Sequence, residues 1–221
     1  MRTSFVVVAF VVAAALLLQV HAGAAADAIV LVWTSSGAPP DVDNGVHLGA
    51  NEAQRTAALL GRTVRVEPRA TAAFATIVYE AGGVALRSGT GCTFQLAPTA
   101  DAKTAALVDW KKQSGKDGEY RIAVWHPSLK QFGGVDLNER FTRQFHQPMG
   151  DGAWLGWVAV KASVEAALRA TGTPCESIAN LQFDGHKGAS LSFRNGVLQQ
   201  PLYVVQKTSE GEKVVAQVPA A

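Results

Sequence analysis

Hydroxyl side chains and a glycine follow three predicted strands of this 221-residue chain, where they could bind a small anion. Hydroxyl groups and backbone N–H groups at the start of helices suit a carboxylate. The same residue types also form turns and helix caps, so both interpretations stay open. The candidates are Ser35 after the first strand, Ser88, Gly89 and Thr90 after the third, and Thr99 after the fourth.

Other reactive side chains lack the neighbours that catalysis or metal binding would need. Trp125 follows the fifth predicted strand and either stacks on a ligand or fills the core. Cys92 lies beside glycines without an implied general base, so acyl transfer is the weakest hypothesis. Cys92 and Cys175 either pair in an oxidising compartment or remain two small buried thiols. Because no metal-ligand spacing or nucleotide motif occurs, we predict no metal, no cofactor and no enzymatic activity.

The first 26 residues predict a secretory signal peptide. Arg2 precedes an apolar run at residues 5–18, and the small residues around Ala24 offer A-x-A cleavage sites. Arg2 contributes one charge to the formal net charge of +2, so the remaining chain is nearly neutral. This balance predicts no nucleic-acid partner, and we expect no membrane span after cleavage. The hydrophobic content of 48% predicts a folded domain.

Strand and helix patterns alternate through the first half of the chain. This order predicts a parallel sheet with helices on both faces, and ligands bind such sheets at the carboxyl ends of the strands. The continuous apolar run at residues 28–33 predicts a strand covered on both faces. The predicted strands are residues 28–33, 63–67, 84–87, 93–97 and 121–125, and the predicted helices are residues 45–60, 70–81 and 99–110.

The second half of the chain predicts two packed helices and a hairpin. Apolar residues recur from Leu137 at helical spacing, and a second apolar helix is predicted with Asp151 as its N-cap. Asp184-Gly185 indicates a turn. Asn195-Gly196 is the strongest hairpin signal in the chain.

The closing segment, residues 183–206, reads F-D-G-H-K-G-A-S-L-S-F-R-N-G-V-L-Q-Q-P-L-Y-V-V-Q. It resembles the closing segment of type I periplasmic solute-binding proteins, the leucine-binding-like receptors of ABC importers. Residues 121–206 also contain W-H-P, L-N-E-R-F, P-M and W-L-G-W-V-A-V-K in order. In these motifs the chain is similar to a branch of that family found beside PQQ-dependent alcohol dehydrogenase systems.

The resemblance implies a periplasmic protein with a three-layer parallel-sheet lobe and a C-terminal β-hairpin. It further implies a small organic solute as ligand and an ABC permease or a periplasmic dehydrogenase as partner. In such receptors, hydroxyl and N–H groups at strand ends hold the carboxylate and amine of the ligand. The matching positions here are Ser88, Gly89, Thr90 and Thr99.

The chain departs from the family pattern at residues 111–119, which stand where a second lobe is expected. Nine residues cannot form a lobe, so we predict one domain over residues 27–221 that corresponds to lobe one. The closing hairpin, residues 190–206, then loses most of its partners and exposes an edge. Two functions stay open: a solute receptor that binds weakly, or an interaction module that dimerises or binds a partner without a ligand of its own.

Overall fold

A computed structural model of the chain describes residues 28–80, 82–89 and 91–219. The predicted signal peptide and Thr90 lie outside the described residues. The strands are β1 (Ala28–Thr34), β2 (Thr63–Glu67), β3 (Ala75–Glu80), β4 (Gly83–Ser88), β5 (Cys92–Gln95), β6 (Tyr120–Ala123), β7 (Gln182–Asp184), β8 (Ser190–Arg194), β9 (Val197–Gln199), β10 (Leu202–Thr208) and β11 (Gly211–Val218). The helices are α1 (Pro40–Ala58), α2 (Ala100–Ser114), α3 (Gly134–Phe145), α4 (Asp151–Leu168) and α5 (Pro174–Ala179).

Eight strands form the main sheet in the order β2-β1-β3-β4-β5-β9-β8-β7. Strand β1 pairs in parallel with β2 and β3, and β5 pairs in parallel with β9. The remaining neighbours, such as β3 and β4, pair antiparallel. The predicted α/β class is therefore confirmed. The main sheet contains both parallel and antiparallel strand pairs.

The helix predicted at residues 70–81 is wrong, because this segment contains strand β3. The strand reads A-T-I-V-Y-E, whose β-branched and aromatic residues favour an extended chain. Its parallel pairing with β1 places Ala75 opposite Leu31, and its antiparallel pairing with β4 places Glu80 opposite Gly83. Strand β3 is therefore an interior strand of the main sheet, and a helix at this position would leave β1 and β4 without this shared neighbour.

Helices α1 and α4 pack against each other and cover one face of the main sheet. Ile29, Leu31 and Trp33 of β1 are buried, whereas Val30 and Val32 on the opposite face are half-exposed. The prediction that this strand is covered on both faces is therefore wrong.

Two predicted helix boundaries also move. Helix α1 begins at Pro40, five residues before the predicted start, because proline fits the first turn of a helix. Helix α2 is capped by Thr99, one of the two cap residues, with Asp101, that the sequence left open, and it continues to Ser114 before Gly115 ends it in a left-handed conformation. The predicted loop at residues 111–119 is therefore shorter, because its first four residues are helical. Among the described helices, none is long and apolar enough to cross a membrane.

The closing strands are divided between two sheets. Asn195 and Gly196 have positive φ angles and join β8 to β9 in the predicted hairpin, which is part of the main sheet. Strand β10 is the central strand of a second sheet and pairs with β6 on one side and β11 on the other. Strands β8, β9 and β10 therefore all have strand partners, contrary to the prediction. Strand β11 forms one edge of the second sheet.

Candidate functional site

A cleft of about 670 Å³ opens at the edge where β3 and β5 end. We call it the carboxyl-edge cleft. Helices α1, α2 and α4 all begin at this cleft, since Pro39, Thr99 and Asp151 line it. Helix N-termini carry free backbone N–H groups and partial positive charge. Helix α1 begins at Pro40 after the N-cap Pro39, and neither proline has an N–H group, so α2 and α4 supply most of these groups at the edge where parallel sheets bind ligands.

The side chains lining the carboxyl-edge cleft carry both signs of charge. Asp41 and Asp151 bring carboxylates, and Lys103 brings an ammonium group. Glu80 also lines the cleft, where its carboxylate accepts a hydrogen bond from Arg87. A ligand with both an amine and a carboxylate could therefore find a counter-charge for each group here.

Asp41 is held where α1 meets α4. A Cβ atom at Gly152 would overlap the Asp41 carboxylate, so this carboxylate lies directly against the first turn of α4. Its Oδ1 accepts a hydrogen bond from the Val42 N–H over 3.0 Å. The position of Asp41 therefore depends on the close packing of the two helices.

Asp151 does not cap α4 as predicted, because Gly150 is the N-cap and Asp151 is the first helical residue. Its Oδ1 instead accepts hydrogen bonds from the backbone N–H groups of Val124 (3.0 Å) and Trp125 (2.8 Å). A helix-start carboxylate is favourable beside the positive end of the helix. Asp151 thereby joins the start of α4 to the segment that follows β6.

Arg121 connects Asp151 to a second carboxylate. Its guanidinium lies 3.8 Å from Asp151 Oδ2 and donates to Glu212 with Nε at 2.8 Å from Oε1. The hydrogen bond to Glu212 raises the pKa of Arg121, and the same bond lowers the pKa of Glu212. His126 lies 3.7 Å from Glu212, but burial lowers its pKa, so the imidazole is neutral at pH 7.

Thr99 and Ser35 lie at the carboxyl edge, as the sequence predicted. The Thr99 hydroxyl oxygen accepts from the Ala102 N–H over 3.1 Å, which leaves its own hydrogen available to a ligand. Ser35 is exposed in the turn after β1, where its carbonyl accepts from Ala38.

Ser88 and Gly89 lie at the opposite edge of the sheet from the cleft. Strand β4 runs antiparallel to β3, so its end lies beside the start of β3. The buried Ser88 hydroxyl donates to the Phe74 carbonyl over 2.8 Å, which is a structural role. The structure thus separates Ser88 and Gly89 from Thr99, with which they were expected to form one site.

Trp125 lies in the core and not in the cleft. Its side chain is buried, and its indole N–H donates to Asn138 Oδ1 over 2.8 Å. Its ring stacks on Trp154 with centroids 6.0 Å apart. Of the two interpretations of Trp125 that the sequence left open, the structure shows packing.

The sequence did not single out Asp41, Lys103 or Tyr79 as functional residues. Asp41 and Lys103 lie in the first turns of α1 and α2, and Tyr79 lies near the end of β3. The signal that could have identified these residues is a helix that begins directly after a strand. The sequence prediction applied this signal to hydroxyl side chains and not to charged side chains.

Cys92 and Cys175 are bonded to each other in the structure, with Cα atoms 5.9 Å apart. The bond joins the start of β5 to helix α5, far along the chain. It lies at the edge opposite the carboxyl-edge cleft, since β5 ends at that cleft. Cys92 is therefore not available as a nucleophile.

Lys187 is a lysine side chain buried in the core, with 1% of its surface exposed. Its Nζ donates to Gln200 Oε1 (2.6 Å) and to the Pro201 carbonyl (3.0 Å) and lies 4.0 Å from the Trp154 ring centroid. Burial lowers the pKa of Lys187 well below its ordinary value of 10.5. The unfolded chain therefore binds this proton more tightly than the folded chain does.

We expect the free energy of unfolding to rise with pH between the lowered pKa of folded Lys187 and the ordinary lysine pKa of 10.5, by at most about 1.4 kcal/mol per pH unit. In this window the folded protein releases the Lys187 proton while the unfolded chain keeps it. The Lys187→Met variant should show a flatter pH profile in urea titrations. The exposed Lys112→Met control should keep the wild-type slope. Equal slopes for wild type and Lys187→Met would contradict a depressed pKa.

Solved substrate-binding proteins of ABC transporters share this fold. The ABC transporter substrate-binding protein from Desulfitobacterium hafniense in complex with Leu has a TM-score of 0.58 and 11% identity, and the alignment covers 85% of this chain and 99% of that chain. A second structure of an ABC transporter substrate-binding protein from the same organism has a TM-score of 0.57 and 12% identity, with the same coverage. These neighbours are type I periplasmic binding proteins.

Longer relatives match only in part. An amino acid ABC transporter substrate-binding protein from Pseudomonas fluorescens Pf-5 has a TM-score of 0.40 and 11% identity, and this chain spans 35% of its length. No protein-family model matches the chain, and no curated protein sequence matches it significantly. The comparisons therefore establish the fold, a mixed α/β fold of the type I periplasmic-binding-protein class.

Proposed function

We propose that this protein is a periplasmic solute-binding protein of an ABC-type importer, or the single-lobe remnant of one. It takes a small organic solute in the carboxyl-edge cleft. One observation carries this proposal: three helix N-termini and charges of both signs surround a cleft at the carboxyl ends of the strands. The signal-peptide pattern at residues 1–26 supports export to the periplasm.

The charges of the cleft favour a zwitterion of amino-acid size. Asp41 and Asp151 suit an ammonium group, whereas Lys103 and the Thr99 hydroxyl suit a carboxylate. The solved Desulfitobacterium hafniense protein of the same fold was crystallised in complex with Leu, which supports leucine as the first solute to test.

The proposed partners rest on the sequence motifs in residues 121–206. Their resemblance to the branch beside PQQ-dependent alcohol dehydrogenase systems supports a role next to periplasmic alcohol oxidation. An ABC permease is the partner that the fold relatives suggest, and a periplasmic dehydrogenase is the partner that the motifs suggest. With such a partner, the solute would be an acid or amino acid related to that oxidation.

We expect weak binding, because the cleft surrounds its ligand on one side. A ligand bound to a single surface stays partly exposed to water and makes few contacts. These contacts offset little of the free energy that the ligand loses with its translational and rotational freedom. Dissociation constants near 1 mM, about 4 kcal/mol of binding free energy, are therefore expected for the monomer.

Isothermal titration of the mature protein with leucine, short alcohols and short organic acids tests this proposal. Leucine should bind in the millimolar range, and Lys103→Ala and Asp41→Asn should each weaken it at least fivefold, because each removes one counter-charge. Lys112→Ala, in the last turn of α2, should leave the affinity unchanged. Equal affinity of all variants would place the solute elsewhere, and micromolar binding by the monomer would contradict the one-sided cleft.

The alternative function is an interaction module without a ligand of its own, which dimerises or binds another periplasmic protein. The observation that favours it is the edge strand β11, whose outer side is free of strand partners among the described residues. Failure of every solute to bind, together with a dimer in light scattering, would favour this alternative over the receptor.

A further inference from the structure

A second cavity, of about 510 Å³, lies between the segment at residues 128–132 and strand β11. We call it the β11 groove. Besides that segment, it is lined by Tyr203 of β10 and by residues 213–217 of β11. It shares no lining residue with the carboxyl-edge cleft. Its volume lies in the range of pockets that bind small organic molecules.

The floor of the β11 groove is apolar. Tyr203 belongs to a small apolar cluster in the second sheet, and Leu129 and Val214 pack against this cluster. Val215 and Ala216 also line the groove, although both pack against the main core. An apolar ligand body could therefore bury surface here that solvent now contacts.

The charged side chains that line the groove, within the described part of the chain, are Lys130 and Lys213. They come from opposite walls, one from the segment at residues 128–132 and the other from β11. The Tyr203 hydroxyl has a pKa that burial raises to about 12, so it stays protonated at neutral pH and can donate a hydrogen bond. The polar groups of the groove thus suit an anion.

Phe132 is held at the groove with 53% of its surface exposed. Its φ of 55° lies in the left-handed region, which is costly for a bulky residue. The His186 Nδ1–H donates to the Phe132 carbonyl over 3.0 Å, and a Cβ at Gly188 would come within 2.5 Å of the Phe132 ring. The surrounding residues therefore fix a strained backbone that presents an aromatic ring at the groove.

We propose that the β11 groove binds a small organic acid with an apolar or aromatic body. The carboxylate lies between Lys130 and Lys213, and the body lies on Val214 and Tyr203 against the Phe132 ring. Charge complementarity selects the acid, since both charged lining residues are cationic. This site is independent of the proposed function, because the carboxyl-edge cleft has other walls and other charges.

Phenylacetate is the probe, titrated against the mature protein by isothermal calorimetry. The Lys130→Ala/Lys213→Ala double variant should weaken its binding at least tenfold. A matched double variant of exposed lysines, Lys112→Ala/Lys116→Ala, should bind as the wild type does. The uncharged 2-phenylethanol and the cationic 2-phenylethylamine should each bind at least tenfold more weakly than phenylacetate.

Three outcomes would overturn the proposal: no binding of phenylacetate, equal binding of the alcohol or amine, or unchanged affinity in Lys130→Ala/Lys213→Ala. Loss of phenylacetate binding in Lys103→Ala would also overturn it, since the acid would then lie in the carboxyl-edge cleft. Leucine binding should not respond to Lys130→Ala/Lys213→Ala. The failure of one site can therefore be told from the failure of the other.

Discussion

Removal of both cysteines, in the Cys92→Ala/Cys175→Ala variant, should lower the free energy of unfolding by about 2–4 kcal/mol. The bond joins positions 83 residues apart and so closes a long loop in the unfolded chain. Opening that loop increases the conformational freedom of the unfolded state, whereas the folded state keeps its other contacts.

Urea titration of the variant and of the wild type with and without reductant measures this effect. The reduced wild type should unfold near the midpoint of the variant, because both lack the same link. Intact-mass analysis of the unreduced wild type after thiol blocking should find no blocked cysteine. A labelled thiol, or equal midpoints for variant and wild type, would show that the bond does not form or does not stabilise the fold.

Local sequence signals correctly predicted those elements whose conformation depends mainly on their own residues. Strand β2 has the predicted bounds, and strand β1 extends one residue further. The hairpin at Asn195 forms because both turn residues adopt positive φ, which asparagine and glycine tolerate. Thr99, one of two cap residues that the sequence offered, caps α2 by accepting a hydrogen bond from the Ala102 N–H. Such features depend on few distant contacts.

The error at residues 70–81 shows how one misassigned element moves a predicted site. A helix there would have crossed over the sheet and returned β4 parallel to its predecessors, with Ser88 at the carboxyl edge. Strand β3 takes that place instead, and β4 returns antiparallel. Ser88 therefore reaches the opposite edge, although its own strand was predicted correctly.

The charged residues of the carboxyl-edge cleft could not be grouped from the sequence, because three helices from distant parts of the chain bring them together. Asp41 and Asp151 are 110 positions apart and approach only where α1 crosses α4. Asp151 was singled out as a cap, yet its carboxylate binds the backbone after β6. The role of such a carboxylate depends on tertiary packing.

The Gly156→Val variant should lose about 3 kcal/mol of unfolding free energy or more, because α1 and α4 touch through their backbones. A Cβ at Gly156 would overlap the Val42 carbonyl oxygen, and a Cβ at Gly45 would overlap that of Ala153. The obstructing atoms belong to the backbone, so a side-chain rotation cannot remove the clash. The helices would have to move apart and lose apolar contact along their whole crossing.

Urea titration of Gly156→Val beside Gly150→Ala separates this clash from the loss of a glycine. A Cβ at Gly150 meets no atom within 4 Å, so Gly150→Ala should lower the unfolding free energy by no more than about 1 kcal/mol, the cost of alanine at this N-cap. A Gly156→Val midpoint equal to that of the wild type would mean that the helices do not pack this closely. Because Asp41 lies on α1 and Asp151 on α4, the smaller change Gly156→Ala should widen the carboxyl-edge cleft and weaken solute binding while the protein still folds.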